Sequence, residues 1–130
     1  MRDILFRGKR LDNGAWVYGS LLQVECEHGS IVTAIFDRKD SGGDAEVHPS
    51  TVGQYTGLKD KDGKRIWEGD VLTVDGEVGC FELKFNENTA MFIMDGDAIR
   101  ASFNIFGTDE VEVVGNIHDN PELLEGGASE

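Results

Sequence analysis

The stretch that decides the fold is VGQYTGLKDKDGKRIWEGDV, residues 52–71. Glycine recurs through it, as expected where short extended segments are joined by tight turns. Val52–Gly57 is predicted to be extended, Leu58–Ile66 to reverse the chain at a polar turn, and Trp67–Asp70 to form a second turn. A motif made of turns and of apolar side chains that pack the two sides of a hairpin together specifies a fold more often than a reaction. We therefore interpret these residues as the structural centre of a β-rich domain.

Strand and turn signals continue on both sides of this stretch. The pair Asn13-Gly14 predicts a hairpin turn between strands at Asp3–Arg7 and Trp16–Val24, and β-branched residues predict a third strand at Ile31–Phe36. Asp37–Glu46 is predicted to be a surface loop. Later strands are predicted at Val71–Val74, Val78–Phe85, Thr89–Met94, Ala98–Phe106 and Glu110–Ile117. About nine short strands are expected in all, as in barrels and sandwiches.

Length and composition favour one mainly β domain. The chain has 130 residues, with 17 glycines and two prolines, which fits one domain of short strands better than a helix bundle. We predict a short-stranded barrel over residues 1–125, in which 1–50 form N-terminal strands and a loop as a hairpin subdomain packed on the barrel. Residues 51–120 then hold the signature hairpin and the barrel, and 126–130 are a disordered tail.

The negative charge is confined to the second half of the chain. Residues 1–65 carry ten Lys or Arg and ten Asp or Glu, whereas residues 66–130 carry two and fifteen, which accounts for the whole net charge of −13. An acidic surface of this kind repels phosphate backbones. It is either an ordinary solvated face or a surface that imitates an acidic ligand.

Cysteine and histidine positions give no support for a disulfide framework, a metal site or a cofactor. Cys26 and Cys80 are predicted to be buried free thiols. Cys26 and His28 form one close pair, with His48, Cys80 or His118 as the remaining imaginable ligands, whereas zinc sites generally use two such pairs. No segment has the apolar length of a membrane span or a signal peptide, so a cytoplasmic protein without membrane contact is expected.

Two polar groups within the signature are candidates for chemistry or binding. Glu68 and Asp70 could act as an acid–base pair, but a turn also uses aspartate to bond its own backbone. Basic side chains beside aromatic ones could bind single-stranded nucleic acid, or could form a solvated hairpin tip above core aromatics. We predict no catalytic residues. The candidate binding or fold-signature residues are Tyr55, Leu58, Lys59, Lys61, Lys64, Arg65, Trp67, Glu68 and Asp70.

Residues 52–71 resemble the central signature of the YopX family, with Asp62 for Asn, Arg65 for Glu and Trp67 for Tyr. The opening Arg2–Arg7 and the closing Val114–Leu124 also resemble the family's start and end. This resemblance implies a protein encoded by a phage or prophage and made in the bacterial cytoplasm. It implies a mainly β fold whose later half is SH3-like. It carries no established activity and no catalytic residues.

These observations lead to one main functional hypothesis and three alternatives. The main hypothesis is a non-enzymatic binding or assembly module of a phage, expected to be a homo-oligomer in which the neutral half of one copy packs on the acidic half of another. The first alternative is an acidic mimic or decoy that binds a basic host protein. The second is nucleic-acid binding through the Lys59–Arg65 hairpin, which the acidic remainder disfavours. The third is a hydrolase that uses Glu68 or Asp70.

Overall fold

A computed structural model describes residues 3–37, 43–96, 100–102 and 108–125. The chain divides into two compact units, Met1–Tyr55 and Thr56–Glu130. The boundary falls inside a strand of the signature stretch, whose first residues belong to the first unit and whose last residues belong to the second. The predicted limits at residues 50/51 and 120 stay a prediction.

The first unit is an antiparallel meander. Its strands follow the order β4-β3-β2-β1-β5 in the sheet, and a single 3₁₀ turn at Pro49–Thr51 precedes β5. The strands are β1 (Phe6–Lys9), β2 (Trp16–Glu25), β3 (Ile31–Phe36), β4 (Asp44–Glu46) and the start of β5 (Gly53–Lys59). The predicted hairpin is confirmed: Phe6 pairs with Gly19 and Lys9 with Trp16. Gly14 takes the left-handed conformation, with φ of 73°, which that turn requires.

One face of this sheet packs a small apolar core. Val17 and Ile35 on that face are buried together with Val47, and Leu21 packs against them. Gly8 is needed beneath Val47, because a Cβ on Gly8 would lie 3.0 Å from the Val47 side chain. The side chains at alternating positions point to the opposite face, as strand geometry dictates.

The second unit contains the larger core. Its strands after β5 are β6 (Arg65–Trp67), β7 (Asp70–Val74), β8 (Phe81–Asn86), β9 (Met91–Asp95), β10 (Arg100–Ser102) and β11 (Val111–Asn116). A 3₁₀ turn at Thr108–Glu110 leads into β11, and the chain continues into the short helix α1 (Glu122–Glu125). Strands β7–β11 form a sheet in the order β10-β9-β8-β7-β11, with a bulge between Val113 and Gly115. The core comprises Ile66, Leu72, Val74, Phe81, Leu83, Met94 and Val111.

The mainly β prediction is confirmed, but the strand inventory differs from it in several places. Eleven strands are present in the described residues, and neither sheet closes into a barrel within them. The loop prediction for Asp37–Glu46 is wrong at its end, because Asp44–Glu46 pairs with β3 as strand β4. Of the predicted strand Ala98–Phe106, only Arg100–Ser102 is described, and the predicted tail at 126–130 lies outside the described residues. The SH3-like character of the later half stays a prediction.

Candidate functional site

The predicted site residues do not form one surface. Tyr55 in the first unit is buried, and so are Trp67 and Asp70 in the second. Glu68 is half-buried in the turn between β6 and β7. The remaining residues of the predicted set are exposed along the β5–β6 hairpin: Leu58, Lys59, Lys61, Lys64 and Arg65. The signature therefore combines core side chains with a solvated hairpin tip, and it does not gather them around a substrate.

Asp60, which sequence analysis did not select, is the polar centre of the signature. Its carboxylate Oδ1 accepts backbone N–H groups from Asp62 and Lys64, both at 2.9 Å. Its Oδ2 accepts the backbone N–H of Val113, also at 2.9 Å, although Val113 is 53 residues away. The side chain is only 6% exposed. Asp60 thus fixes the turn and attaches it to strand β11.

The electrostatics of Asp60 agree with this structural role. Burial alone would raise its pKa, but the hydrogen bonds from Val113, Lys64 and Asp62, with the nearby Lys64 charge, hold the pKa below its ordinary value of 3.8. Donors that bond the carboxylate stabilise its charged form. Asp60 is therefore an ionised acceptor in the folded protein and not a proton donor.

The hairpin containing Asp60 covers the edge of the second sheet. Strand β11 lies at that edge, pairing with β7 on one side. On its other side, the Lys61 backbone N–H donates to the Val111 carbonyl at 2.9 Å, and the Asp60 carboxylate receives the Val113 N–H. Exposed strand edges otherwise recruit foreign strands. The signature hairpin protects this edge.

Asp70 also accepts a hydrogen bond from the backbone. Its Oδ2 accepts the Trp67 N–H at 2.7 Å, which closes the turn between β6 and β7. At 2% exposure, Asp70 is poorly placed to meet a substrate from solvent. This geometry favours the turn-capping interpretation of Glu68–Asp70 over the acid–base one.

The basic cluster is partly neutralised by the acidic half of its own unit. Lys61 Nζ lies 3.3 Å from Asp75 Oδ1 and 3.7 Å from Glu112 Oε1. The hydrogen bond and the charge of Asp75, helped by Glu112, raise the pKa of Lys61 above its usual 10.5. Lys61 is therefore committed to carboxylates of this chain, which weakens the case for a phosphate-binding hairpin.

The polar residues that follow strand β11, at positions 116–120, also form a turn in which side chains bond to the backbone. The Asn116 side-chain oxygen accepts the N–H groups of His118 at 2.9 Å and Asp119 at 2.8 Å. Asn120 Oδ1 accepts the Asn116 N–H at 3.3 Å. A Cβ on Gly115 would lie 2.6 Å from that same Asn120 oxygen, so the turn packs closely on β11. The polar residues of this motif hold the end of the sheet.

The cysteine predictions are confirmed in part. Cys26 and Cys80 are free thiols, but both are half-buried, so the prediction of full burial is wrong. Cys26 and His28 lie in the turn between β2 and β3. In the part of the chain that the structure describes, no three His, Cys, Asp or Glu side chains are grouped so as to hold a metal ion.

Sequence analysis missed an apolar surface on the first unit. Register pairs of the β2–β3 hairpin place Leu22, Val24, Val32 and Phe36 on the side opposite the core, and we call this side the outer face. Leu22 is 38%, Val24 56% and Phe36 40% exposed, and Tyr18 beside them is 43% exposed. The signal was available: β2 carries apolar residues in both alternating phases, although one phase alone supplies the core.

The structure thus defines a class of protein: a β-sheet protein with a capped signature hairpin, an acidic second unit and an apolar outer face on the first. Within that class, the chain belongs to the YopX family, because residues 5–125 match the sequence model of the family described as YopX protein. The resemblance stated from the motifs is confirmed over nearly the whole chain.

A solved structure shares this fold. The crystal structure of protein EF1440 from Enterococcus faecalis is 25% identical to the chain, and the match has a TM-score of 0.60. It covers 95% of this chain and 99% of that one. No curated protein matches the chain. Separately, none of the helices in the described ranges has the length and apolar character of a membrane span.

Proposed function

We propose that the protein is a non-enzymatic binding or assembly module, encoded by a phage or prophage and active in the bacterial cytoplasm. The observation that carries this proposal is the outer face of the β2–β3 hairpin. Large apolar side chains exposed together on one side of a sheet mark interaction surfaces, whereas isolated ones do not. Leu22, Val24 and Phe36 satisfy that condition because the strand register places them side by side.

The signature supports a binding function over a catalytic one. Asp60 accepts three backbone N–H groups and Asp70 accepts one. An acid or base must instead reach the atom from which it takes or to which it gives a proton. The buried carboxylates of Asp60 and Asp70 therefore stabilise turns and, for Asp60, the edge strand β11.

Nucleic-acid binding is a weaker candidate than the sequence suggested. Tyr55 is 7% and Trp67 5% exposed, so neither ring offers a face on which a base could stack. Lys61 contacts two carboxylates of its own unit. The hairpin keeps exposed cations at Lys59 and Lys64, but it lacks the stacking platform.

An acidic mimic is a second candidate because a backbone hydrogen bond brings two exposed acidic residues, Asp75 and Glu110, close together. The Asp75 N–H donates to the Glu110 carbonyl at 2.8 Å, which places the β7–β8 turn beside the start of β11. Both residues are exposed, and so is Asp109. A mimic predicts a basic partner whose retention falls with salt, and Asp75→Asn combined with Glu110→Gln should weaken that retention.

Affinity purification from phage-infected cells with matched baits tests the binding proposal. The baits are the wild type, Val24→Glu on the outer face, and Ile31→Glu at the same end of the hairpin on the opposite face. Ile31 is 63% exposed, more than Val24, so the control adds the same charge at a position that is at least as open to solvent. The proposal expects partners retained by the wild-type and Ile31→Glu baits and lost with Val24→Glu.

Two results would contradict the proposal. One is a wild-type bait that retains nothing beyond an empty resin. The other is a Val24→Glu bait that retains the same proteins as the wild type. Urea unfolding of all three baits accompanies the purification, so that a loss of partners is not confused with a loss of folding.

A further inference from the structure

The hairpin of β2 and β3 extends beyond the strands that flank it. Within the described residues, β1 pairs with β2 only as far as Gly19, whereas β2 itself continues to Glu25. On the other side, β4 pairs with β3 from Ala34 onward, away from the hairpin turn. Residues 22–32 therefore form a two-stranded ribbon with no strand paired to either edge in that part of the chain, and we call this ribbon the β-arm.

The hydrogen bonds of the β-arm show which backbone groups face its open edge. Register partners in an antiparallel pair alternate between hydrogen-bonded and non-bonded pairs. The Cys26 N–H donates to the Ser30 carbonyl at 2.7 Å, so the even-numbered residues of β2 bond to β3. The Thr33 carbonyl agrees with this alternation, since it accepts an N–H from the chain after β4. The N–H and C=O groups of Gln23 and Glu25 therefore point away from β3, and no other described group bonds them.

This edge of the β-arm is open to solvent. Gln23, Val24 and Glu25 are all exposed. The edge presents two N–H and two C=O groups, on residues about 6.8 Å apart along the strand. The backbone of an extended peptide supplies donors and acceptors at the same spacing, and adding a strand to a sheet edge is a recurring mode of peptide recognition.

Other strand edges of the molecule are less available. Strand β4 has three residues, and its Glu46 carbonyl already accepts the Leu11 N–H at 3.0 Å. The edge of β11 is covered by the signature hairpin, through Asp60 and Lys61. Neither of these edges offers the exposed, unbonded backbone groups that the β-arm does.

We infer that the open edge of the β-arm binds an extended strand of another protein, in which apolar residues alternate with basic ones. Side chains of an added strand lie beside those of β2 on the same face of the sheet. On the outer face they meet Leu22 and Val24, and on the opposite face they meet Gln23 and Glu25. Apolar side chains match the first pair, and a basic side chain matches Glu25.

The charge of the β-arm favours a basic strand over a second copy of this chain. The arm carries Glu25 and Glu27, both exposed, and no Lys or Arg occurs between Leu11 and Asp37. Two arms of this charge repel each other. A lysine or arginine placed opposite Glu25 instead forms an opposite-charge pair across the strands.

This inference rests on the proposed binding function and names the chemistry of its partner, so its test uses purified full-length protein with a synthetic strand. The probe is a short, capped and fluorescently labelled peptide of alternating lysine and valine. The control peptide has the same residues with the lysines and valines in separate blocks, so it keeps the charge that attracts it to the acidic second unit. Fluorescence anisotropy should show binding of the alternating peptide at least about tenfold tighter than that of the control.

Substitution of Gln23 tests the edge itself. Gln23→Pro removes the N–H that faces the added strand and puts the proline ring in its path. It leaves the β2–β3 bonds intact because Gln23 does not take part in them, and it should weaken binding of the alternating peptide at least about tenfold. Gln23→Ala is the matched control, since it keeps that N–H and should bind within about twofold of the wild type. Urea unfolding checks that both variants are folded.

A charge exchange tests the basic character of the partner. Glu25→Lys should weaken binding of the lysine–valine peptide by about two- to fivefold, as expected for one cross-strand pair. The same variant should bind a peptide of alternating glutamate and valine more tightly than the wild type does. Glu27→Lys makes the same charge change in the turn beyond the strand and should have a smaller effect on both peptides.

Amide hydrogen exchange, followed by NMR, locates the bound peptide. In the free protein, the Val24 N–H bonds to β3 and should exchange more slowly than those of Gln23 and Glu25. The alternating peptide should slow exchange at Gln23 and Glu25 and leave Val24 nearly unchanged. A peptide that lay on the outer face would not produce this alternation.

Four results would overturn the inference. The alternating peptide binds the wild type no better than its control, in which case the bait experiment still decides the proposed function separately. Gln23→Pro binds the peptide as tightly as the wild type. The peptide binds, but exchange at Gln23 and Glu25 does not slow. The wild type alone self-associates in sedimentation velocity and Gln23→Pro abolishes this, which places a second copy on the edge.

Discussion

Replacement of Asp60 by alanine should destabilise the second unit strongly, because one buried carboxylate holds three backbone donors. Hydrogen bonds to charged groups contribute about 1.5–3 kcal/mol each. The N–H groups of Asp62 and Lys64 belong to an exposed turn and regain water when the carboxylate is removed. The N–H of half-buried Val113 does so less readily. We therefore expect a loss of about 3 kcal/mol, below the sum of three full bonds.

Asp60→Asn isolates the contact with β11. The amide oxygen can still accept from the turn, but its NH₂ group then faces the Val113 N–H, so two donors oppose each other. The expected loss is about 2 kcal/mol. Asp62→Asn is the matched control, because it removes the same charge from an exposed neighbour and should change stability by less than about 0.5 kcal/mol.

Urea unfolding followed by Trp67 fluorescence measures these changes. A Trp16→Phe background leaves Trp67 as the only tryptophan, since the chain has two. With a slope of about 1–3 kcal/mol per molar urea, a loss of 3 kcal/mol shifts the midpoint by about 1–3 M. The reasoning is refuted if Asp60→Ala unfolds within 0.3 M of the wild type, or if Asp62→Asn shifts the midpoint as far as Asp60→Ala does.

The lowered pKa of Asp60 determines how the stability difference between the wild type and Asp60→Asn changes with pH. Its pKa is below 3.8 in the folded protein, so the folded state binds a proton less readily than the unfolded state does. The stabilisation from its charge is therefore complete above pH 3.8 and is lost as the pH falls through the folded pKa. The difference in free energy of unfolding between the wild type and Asp60→Asn should therefore become smaller as the pH falls below 3.8. If this free-energy difference stays constant with pH, the conclusion that the ionised Asp60 carboxylate accepts these hydrogen bonds is contradicted.

Two further substitutions test other parts of the fold. Gly19→Ala should destabilise the first unit by more than about 2 kcal/mol, measured by urea unfolding, because an added Cβ would overlap the Phe36 carbonyl oxygen. Glu82→Gln should stabilise the second unit at pH 7 by only a few tenths of a kcal/mol, since solvent screens this partly exposed group, and this gain should disappear below pH 4.5. Burial raises the pKa of Glu82 above 4.5, partly opposed by Lys84 and reinforced by Asp95, so its stabilising contribution exists at low pH and is lost as the pH rises.

Control measurements distinguish the steric effect at Gly19 and the desolvation of Glu82 from a general change in stability. Gly14→Ala, also in the first unit, places its Cβ in open space at a φ of +73° and should cost only the left-handed backbone penalty of about 1–2 kcal/mol. Equal losses for Gly14→Ala and Gly19→Ala would contradict the close approach at Phe36. A stability gain for Glu82→Gln that persists at pH 3.5 would contradict the desolvation argument.

Local chemistry made much of the fold predictable. The Asn13-Gly14 turn, the strand at Ile31–Phe36 and the buried alternation at Phe81 and Leu83 follow from residue type and spacing over a few positions. The sequence could not reveal β4, because Asp-Ala-Glu has no strand signal of its own and is extended through pairing with β3. Edge strands of this kind depend on a neighbour that only the topology supplies.

The functional residues were harder to find for the same reason. Asp60 was recognisable as a turn residue, but its third bond joins positions 53 residues apart, and no short-range pattern encodes that contact. Tyr55 and Trp67 stand beside lysines in the sequence, yet burial removes them from the surface. Adjacency along the chain left a binding hairpin open as a disfavoured alternative, whereas the register of the strands identified the outer face.

The two units treat their exposed surfaces differently, and that difference connects structure to function. In the second unit, the Asp60 hairpin covers the edge of β11, and the Asn116 turn holds its end. Most of the charged residues of this unit are acidic, so its surface repels negatively charged partners. In the first unit, β2 carries Leu22 and Val24 on the side that the core does not use. Under the proposed binding function, a partner would therefore contact the apolar outer face of the first unit, because the second unit offers a covered strand edge and a negative surface.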